Sequence, residues 1–269
     1  MKKKFKSHDE RRFQLYFGIV LTSVVLLLAV VGIFYAPYDP YAMNSVQRFQ
    51  PPSLLHLFGT DQFGRDNFSR AMTGARYSLL VSAVTVALSG SVGITIGLFI
   101  GYEGGAVEAV VMRLTDALAS FPGVLLALVA VTVFGGGRYT IIPALAIAFL
   151  PSYIRIARSG AKQCRNREFI EAEYASGIST GRILFRHILP NIMPSVVPAL
   201  VIGFSNAILA ESGMSYLGLG IQPPIPSWGR MLSEGQAYLL KAPWESLSAG
   251  FMIFLTVLGF HNLGDGLSK

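Results

Sequence analysis

Long runs without Asp, Glu, Lys or Arg most constrain what this chain can fold into. The runs are residues 13–38, 77–102, 117–137, 139–154, 188–210 and 246–264. A helix of about 20 apolar residues crosses a bilayer core about 30 Å thick, and five of the runs approach or exceed that length. Arg155 and Arg158 follow the short run 139–154, and we expect one of them to snorkel from its end. The pattern therefore predicts an all-α integral membrane protein with six transmembrane helices.

The composition favours a membrane protein over a soluble one. Hydrophobic residues make up 52% of the 269 positions and charged residues 14%, whereas about a quarter of a soluble domain is charged. One apolar run alone would fit a buried core helix, but six in a chain of this length do not. The first run exceeds the roughly 7–15 apolar residues of a secretory signal, and residues 34–37 are a poor cleavage site. We expect it to be a retained membrane anchor.

The distribution of Lys and Arg predicts the orientation in the membrane. With the N-terminus inside, most of the 22 basic residues fall in the inner segments 1–12, 103–116, 155–187 and 265–269. Because an excess of Lys and Arg marks the cytoplasmic side, we expect both termini in the cytoplasm. Residues 1–12 would be a basic tail, and residues 13–269 one six-helix domain. The net charge of +7 then reflects topology and does not indicate a nucleic-acid partner. The single cysteine, Cys164, can form neither an internal disulfide nor a metal cluster.

The inner loop, about residues 155–190, contains a short stretch of helix-forming sequence. Ile170 and Tyr174 are four residues apart and would share one face of a helix. Gly177 can end that helix because glycine accepts the left-handed conformation, and Pro190 suits the start of the next helix. From these residues alone, two alternatives stay open, since the short helix could pack on another protein or lie on the lipid surface.

The spacing within this loop resembles a sequence signature of permease subunits in binding-protein-dependent ABC importers. The signature is Glu-Ala-Ala, three residues, Gly, nine residues, Ile, any residue and Leu-Pro. The residues that match it are Glu171, Ala172, Gly177, Leu189 and Pro190. Glu173 stands where the second alanine is usual, and His187 stands where isoleucine is usual. The resemblance implies that a short helix of this loop docks on a separate ATPase.

Three further segments extend the resemblance over nearly the whole chain. Residues 57–70 resemble the first outer segment of the dipeptide, oligopeptide and nickel branch of these permeases, residues 215–232 the second outer segment, and residues 262–267 the C-terminal end. Within that branch, the resemblance is to the second, C-type permease of each importer. It implies the type I ABC importer permease fold and a translocation pathway for peptides, nickel or metal chelates.

The resemblance also implies a division of work among subunits. This chain would contain no catalytic residue, metal or cofactor, because ATP and Mg²⁺ would bind to the partner ATPase. The expected partners are a homologous second permease, two ATPase subunits, an extracytoplasmic solute-binding protein and the lipid bilayer. The residues expected at the ATPase interface are Phe169, Ile170, Glu171, Ala172, Glu173, Ser176, Gly177, Ile178, His187 and Pro190.

The outer segments, about 39–76 and 211–245, contain candidates for contact with the binding protein. Charged residues around an aromatic anchor suit a transient docking surface. The candidates are Arg65, Asp66, Arg70, Trp228 and Arg230. As an alternative, Asp66 and Arg70 are four residues apart and would pair along a local helix.

Candidates for the pore wall lie in the fifth predicted helix, because this helix continues from the docking loop. They are Asn191, Ser195 and Gly203. A secondary transporter would instead need a charge at the middle of the membrane or broken-helix repeats, and Asp116 and Glu211 are expected nearer to the membrane edges. A membrane scaffold without ATP coupling is the other alternative.

Two apparent site motifs predict no site. Residues 59–66 superficially resemble a phosphate-binding P-loop, but Arg65 and Asp66 stand where that motif needs Lys and then Ser or Thr. The histidines have no metal-ligand spacing; they are His8, His56, His187 and His261. The sequence leaves the substrate open among dipeptide, oligopeptide, nickel and metal chelate.

Overall fold

The computed structural model describes residues 8–135 and 140–268, and the regular elements within these ranges are helices. They are α1 (His8–Phe34), α2 (Asn67–Glu103), α3 (Gly105–Ala119), α4 (Gly123–Phe134), α5 (Ile141–Arg165), α6 (Glu168–Ala175), α7 (Thr180–Tyr216), α8 (Trp228–Gln236) and α9 (Pro243–Leu267). A 3₁₀ turn, Ser45–Gln47, lies between α1 and α2. The first seven residues of the predicted tail, residues 136–139 and Lys269 lie outside the described residues.

Five of these helices, α1, α2, α5, α7 and α9, are long and apolar enough to cross a membrane. The remaining predicted span, residues 117–137, is not one straight helix. It is divided between α3 and α4, whose axes meet at 92°. Pro122 explains the break, because proline has no N–H to donate and disfavours helical backbone at Phe121 before it. The described chain therefore has five spans, or six if the bent pair counts as one.

The connection between α2 and α3 also differs from the expectation of an inner segment at 103–116. A single residue, Gly104, joins the two helices with φ 73°. A left-handed glycine ends α2 and reverses the chain at once, so that α3 begins at Gly105. The Gly104 N–H still donates to the Ile100 carbonyl at 3.0 Å, which completes the last turn of α2.

The packing of α1 against α9 places both ends of the described chain at one end of the bundle. Gly18 of α1 lies against the backbone of Leu263, and Gly266 of α9 lies against Leu15. The two helices are therefore antiparallel. The same end carries α6, and we call it the loop end. The opposite end carries residues 35–66 and 217–242, and we call it the cap end.

Close contact between α2 and α5 forms the centre of the bundle. A Cβ atom on Gly97 would lie 2.5 Å from the Ile154 carbonyl oxygen and 2.8 Å from the Ala157 Cβ. One turn further along, a Cβ on Gly101 would lie 2.9 Å from the Ala161 Cβ. Small residues on both helices let the backbones approach closely, which is how helices associate in lipid.

Candidate functional site

The short helix predicted in the loop is present as α6, and its predicted end at Gly177 is confirmed. Gly177 has φ 73°. The Ile178 N–H donates back to the Glu173 carbonyl at 3.2 Å, and the Ser176 N–H donates to Ala172 at 2.9 Å. A left-handed glycine with these two bonds satisfies carbonyls that the helix leaves free at its end.

One face of α6 is anchored in the bundle. Ile170 is 2% exposed and belongs to the apolar cluster at the loop end, which also contains Leu98, Ile183 and Ile188. The other face is open, since Phe169 is 39% exposed. Further exposed residues of the predicted ATPase interface are Glu171, Ala172, Ser176 and Gly177 in this segment and Pro190 in the helix that follows. Helix α6 is thus anchored to the bundle through its Ile170 face, and its Phe169 face is accessible.

Helix α7 begins earlier than the sequence indicated. It is continuous from Thr180, and residues Ile183–Ile188 are wound as a π-helix. Pro190 therefore lies near the start of the α-helical part rather than at the start of the whole helix. Because α5 also runs to Arg165, most of the predicted loop 155–190 is helical.

Helix α6 meets this π-helical turn through a polar contact as well as through Ile170. The His187 Nδ1 atom lies 3.6 Å from the Glu173 Oε1 atom, with about a quarter of each side chain exposed. The Asn191 side chain donates to the His187 carbonyl at 2.8 Å. π-Helical turns frequently occur at functional sites, and this one joins α6 to a membrane span.

A polar cleft of about 560 Å³ opens beside α6 at the loop end. It is lined by Tyr102, Glu103, Arg165, Asn166, Glu171 and Thr180. The Arg165 guanidinium donates to the Glu103 carbonyl at 3.1 Å, which fixes one wall. The cleft is therefore formed by the ends of α2 and α5, the start of α7 and helix α6.

Arg155 and Arg158, which follow the short predicted span, form ion pairs with α3 and do not simply extend from the end of that span. Helix α5 is longer than the run 139–154, and both arginines pair with carboxylates of α3. Arg158 and Lys162 contact Glu108, with the lysine at 3.1 Å. The more exposed Arg155 lies 2.7 Å from Asp116. These pairs connect α3 to α5 near the loop end.

Four of the five residues predicted to contact a binding protein are interior residues, which corrects that prediction. Their exposed fractions are 6% for Arg65, 3% for Asp66, 2% for Arg70 and 0% for Trp228. A docking surface requires accessible side chains, and these four pack inside the cap end. Arg230 is partly exposed, but its Nε atom lies 3.2 Å from Glu234 of its own helix.

The two buried arginines share a pair of carboxylates from two distant segments. Arg65 lies 2.6 Å from Asp61 and 3.1 Å from Glu234. Arg70 lies 3.2 Å from Asp61 and 2.7 Å from Glu234. Because Glu234 comes from α8, this network joins the segment before α2 and the first turn of α2 to α8.

Asp66 and Trp228 have structural roles at the same end. Asp66 caps α2 by accepting from the Ser69 N–H at 2.7 Å, and its other carboxylate oxygen lies 2.8 Å from His56 Nδ1. The alternative pairing of Asp66 with Arg70 is therefore wrong. The Trp228 indole donates to the Ala71 carbonyl at 2.9 Å, which packs α8 against α2.

The predicted pore residues lie in two different environments. Asn191 and Ser195 are exposed on α7. A Cβ atom on Gly203, in contrast, would overlap the Tyr153 hydroxyl of α5. Gly203 therefore lies in close packing contact with α5, and its place in a pore wall stays a prediction.

Glu211, an acidic residue of α7, lies inside the subunit. Glu211 is fully buried and accepts a hydrogen bond from the Ser215 hydroxyl at 2.7 Å. Within residues 8–135 and 140–268, no group of three or more His, Cys, Asp or Glu side chains could hold a metal ion.

Sequence reasoning missed an apolar groove of about 490 Å³ between α2, α7 and α9. One wall consists of Ala83, Ala87 and Ser91, which recur every four residues on an exposed edge of α2. The opposite wall includes Phe204 and Phe260. The four-residue spacing of small side chains was visible in the sequence, but the large residues that face them come from distant helices.

Comparisons with known proteins agree on one family. A family model described as "Binding-protein-dependent transport system inner membrane component" matches residues 93–267. The dipeptide transport system permease protein of Alkalihalophilus pseudofirmus is 39% identical to this chain, over 93% of this chain and 82% of that protein. The glutathione transport system permease protein of Pectobacterium atrosepticum is 37% identical, over 96% and 87%. The oligopeptide transport system permease protein of Bacillus subtilis is 35% identical, over 93% and 82%.

Proposed function

We propose that this chain, which belongs to the family of inner membrane components of binding-protein-dependent transport systems, transports peptides and is coupled to an ATPase through α6. A member of this family is a multi-pass inner membrane permease subunit of an ABC importer, without catalytic activity of its own. The secondary transporter and scaffold alternatives are therefore excluded. The substrate, the partner contacts and the orientation are the parts that we propose.

The substrate class follows from the three relatives named above. Their names refer to dipeptides, glutathione and oligopeptides, and all of these are peptides. Peptides are therefore the substrate class that we propose for this chain. Nickel and metal chelates, which the sequence left open, have no support from these relatives.

The position of α6 is the observation that carries the coupling proposal. Its buried Ile170 fixes it to α7, while Phe169 and Glu171 remain accessible on the other face. Because one face of α6 is rigidly attached to α7, a displacement of its other face by a bound ATPase would be transmitted to α7. The ATPase would contact this exposed face and the polar cleft beside it.

The orientation follows from the same assignment. An ATPase that uses cellular ATP works in the cytoplasm, so the loop end would face the cytoplasm. Both termini would lie on the same side, because the start of α1 packs against the end of α9. The excess of Lys and Arg in the segments of this end supports the same orientation.

The proposed mechanism is a change between two arrangements of packed helices. ATP binding closes the ATPases, α6 moves with them, and the π-helical turn of α7 transmits the displacement to the membrane span. The pathway between this chain and a homologous permease then switches from inward- to outward-facing. The binding protein delivers the solute at the cap end, and hydrolysis resets the cycle.

Ser195 and Asn191 are the residues of α7 that we propose to line this pathway, since both are exposed on the helix that continues from α6. A Ser195→Trp substitution should block peptide uptake while the complex still assembles. The matched control is Val92→Trp, at an exposed position of α2 outside the small-residue edge. If Ser195→Trp supported as much peptide uptake as Val92→Trp, Ser195 would not line the pathway.

The first experiment is to identify what co-purifies with this chain after gentle solubilisation from its native membrane. We expect an ATPase, a second permease of the same family and a solute-binding protein that binds peptides. Recovery of the chain alone, from membranes in which it is active, would contradict the partner assignment. A co-purified binding protein that retains a metal chelate and no peptide would contradict the substrate class.

A further inference from the structure

Phe49, at the cap end, has a backbone conformation that a bulky residue rarely adopts. Its φ is 56°, and it is the non-glycine residue with a positive φ in the described part of the chain. The left-handed conformation is strained for an L-residue with a side chain as large as that of Phe. Such strain persists only where the surrounding structure holds it, and it concentrates at functional sites. Its presence here requires an explanation from the surroundings of Phe49.

The backbone around Phe49 is held by the segment that contains the buried network. The Phe49 N–H donates to the Asp61 carbonyl at 3.1 Å, and the Gln50 N–H donates to the Thr60 hydroxyl at 2.8 Å. On the other side, the Arg48 Nε atom donates to the Gln62 carbonyl at 2.5 Å. The strained residue is therefore fixed against the carboxylate-bearing segment that pairs with Arg65 and Arg70.

The strain presents an aromatic ring between two cations. The Lys241 Nζ atom lies 4.3 Å from the centroid of the Phe49 ring, and the Arg48 guanidinium carbon lies 5.7 Å from it. The Tyr238 ring packs beside it, with a centroid separation of 5.0 Å. We call Arg48, Phe49, Tyr238 and Lys241 the aromatic–cationic patch. It combines residues of the first outer segment with residues that follow α8.

The two cations of the patch are available to a partner. Arg48 and Lys241 are both exposed. Among the described residues, no carboxylate forms an ion pair with either of them. Cations that lie over an aromatic face, without an acidic partner of their own, fit an acidic group on another molecule.

We propose that the aromatic–cationic patch is the docking surface for an acidic region of the solute-binding protein. The proposal rests on the proposed function, since it assigns one of the partners of that transporter to particular residues. Carboxylates of the binding protein pair with Lys241 and Arg48, and the Phe49 and Tyr238 rings provide the apolar contact between them. This surface replaces the buried residues that the sequence indicated.

A protein partner fits the patch better than anionic lipid. Segments that bind anionic membranes use clusters of about four to eight Lys and Arg residues beside a membrane span or on an amphipathic helix. The patch has two cations, both placed against one ring that the backbone holds in a strained conformation. A fixed arrangement of this kind suits a partner of defined shape. It also spans both outer segments, so a bound protein would contact the two together.

The test measures ATP hydrolysis by the purified complex in nanodiscs as the co-purified solute-binding protein is titrated. Lys241→Glu should raise the half-maximal concentration of binding protein about tenfold at low ionic strength, since it places like charges together. Phe49→Gly should raise it about threefold, because it removes an apolar contact with the binding protein and the cation–π contacts that position Lys241 and Arg48. Glycine accepts φ 56° without strain, so this variant removes the ring and leaves the fold intact.

The matched control is Arg76→Glu, which makes the same charge change at an exposed cation over Tyr77 on α2. It should leave the half-maximal concentration at the wild-type value. The Lys241→Glu effect should shrink as salt is raised, because exposed charges are screened. Both patch variants should reach the wild-type rate at saturating binding protein.

The outcomes separate failure of this proposal from failure of the proposed function. If the wild-type complex is not stimulated at any concentration, both are overturned. If it is stimulated and the two patch variants match it, the patch assignment alone is overturned. An equal shift for Arg76→Glu would mean general charge attraction without a defined surface. Shifts seen in anionic nanodiscs and absent from zwitterionic ones would assign the patch to lipid instead.

Discussion

The two ends of the bundle are held together by different kinds of interaction. At the loop end, α6 is attached to α7 through apolar side chains around Ile170, with polar contacts at the rim. At the cap end, two arginines and two carboxylates are buried together, and they join segments far apart in the sequence. Apolar packing is non-directional, whereas buried ion pairs require one geometry.

The difference fits the work that we propose for each end. A docking helix has to move with its ATPase and remain attached to the membrane span, and an apolar contact allows small sliding of packed helices. The cap end has to present a fixed surface, because the patch around Phe49 keeps its strained shape only while its support is rigid. The predictions below test whether the two ends depend on these different interactions.

The largest effect on stability should come from breaking the buried network. Glu234→Gln removes the charge that pairs with both Arg65 and Arg70, and it leaves Asp61 as the carboxylate in direct ion-pair contact with these two buried cations. Breaking a buried ion pair in this way costs about 3–5 kcal/mol. We expect a clearly lower midpoint of thermal unfolding for the detergent-solubilised chain, and less chain in the membrane.

The matched control for this variant is Asp116→Asn, which breaks an ion pair with Arg155. About half or more of each side chain in that pair is exposed. Exposed pairs contribute about 0–1 kcal/mol, so the control should unfold near the wild-type temperature. If the two variants lost the same amount of stability, the network would not be what makes the cap end rigid.

The next largest effect should come from removing the apolar anchor of the docking helix. Ile170→Ala deletes most of a buried side chain and should cost about 2–3 kcal/mol of local stability. Its matched control is Phe169→Ala, at the exposed neighbouring position. Hydrogen exchange at α6 should become faster in the first variant and stay unchanged in the second.

The same two variants separate anchoring from contact with the ATPase. Phe169→Ala should weaken association with the ATPase in pull-down experiments, although α6 keeps its protection from exchange. If Ile170→Ala left hydrogen exchange at α6 unchanged, the helix would be held by something other than its apolar face. In that case the contrast between the two ends would lose its basis.

The helices and the docking loop could be predicted from the sequence because their signals are local. Apolar runs fix the membrane spans, and Gly177 ends a helix by a backbone property that only its own residue type supplies. The break at Pro122 was also a local signal, but the apolar run that surrounds it extends across the break and indicated one continuous helix.

The cap end could not be predicted because its contacts are not local. Arg65 and Glu234 are 169 residues apart, and no periodicity links them. Charged residues between apolar runs normally indicate a solvated surface, and here Arg65 and Arg70 are buried with Glu234 from a distant segment. The patch depends on the φ of Phe49, which has no sequence signal when the residue is not glycine.

Of the substitutions at Glu234, Ile170 and Gly177, the one at Gly177 should lower stability least. It should nevertheless have a large effect on ATP-driven transport. Gly177→Val forces a β-branched residue into a φ of 73°, which costs about 2 kcal/mol at the end of α6, although a Cβ there would meet no atom within 4 Å. The control is Gly181→Ala, which also has open space and has no positive φ. We expect both variants to reach the membrane. Of the two, only the complex with Gly177→Val should hydrolyse ATP without transporting peptide.

Because the end of α6 would shift in Gly177→Val while the cap end stays intact, the binding protein should still dock with wild-type affinity. Loss of docking in this variant would mean that the two ends are coupled in the resting protein, and the loop end could then not be adjusted independently of the cap.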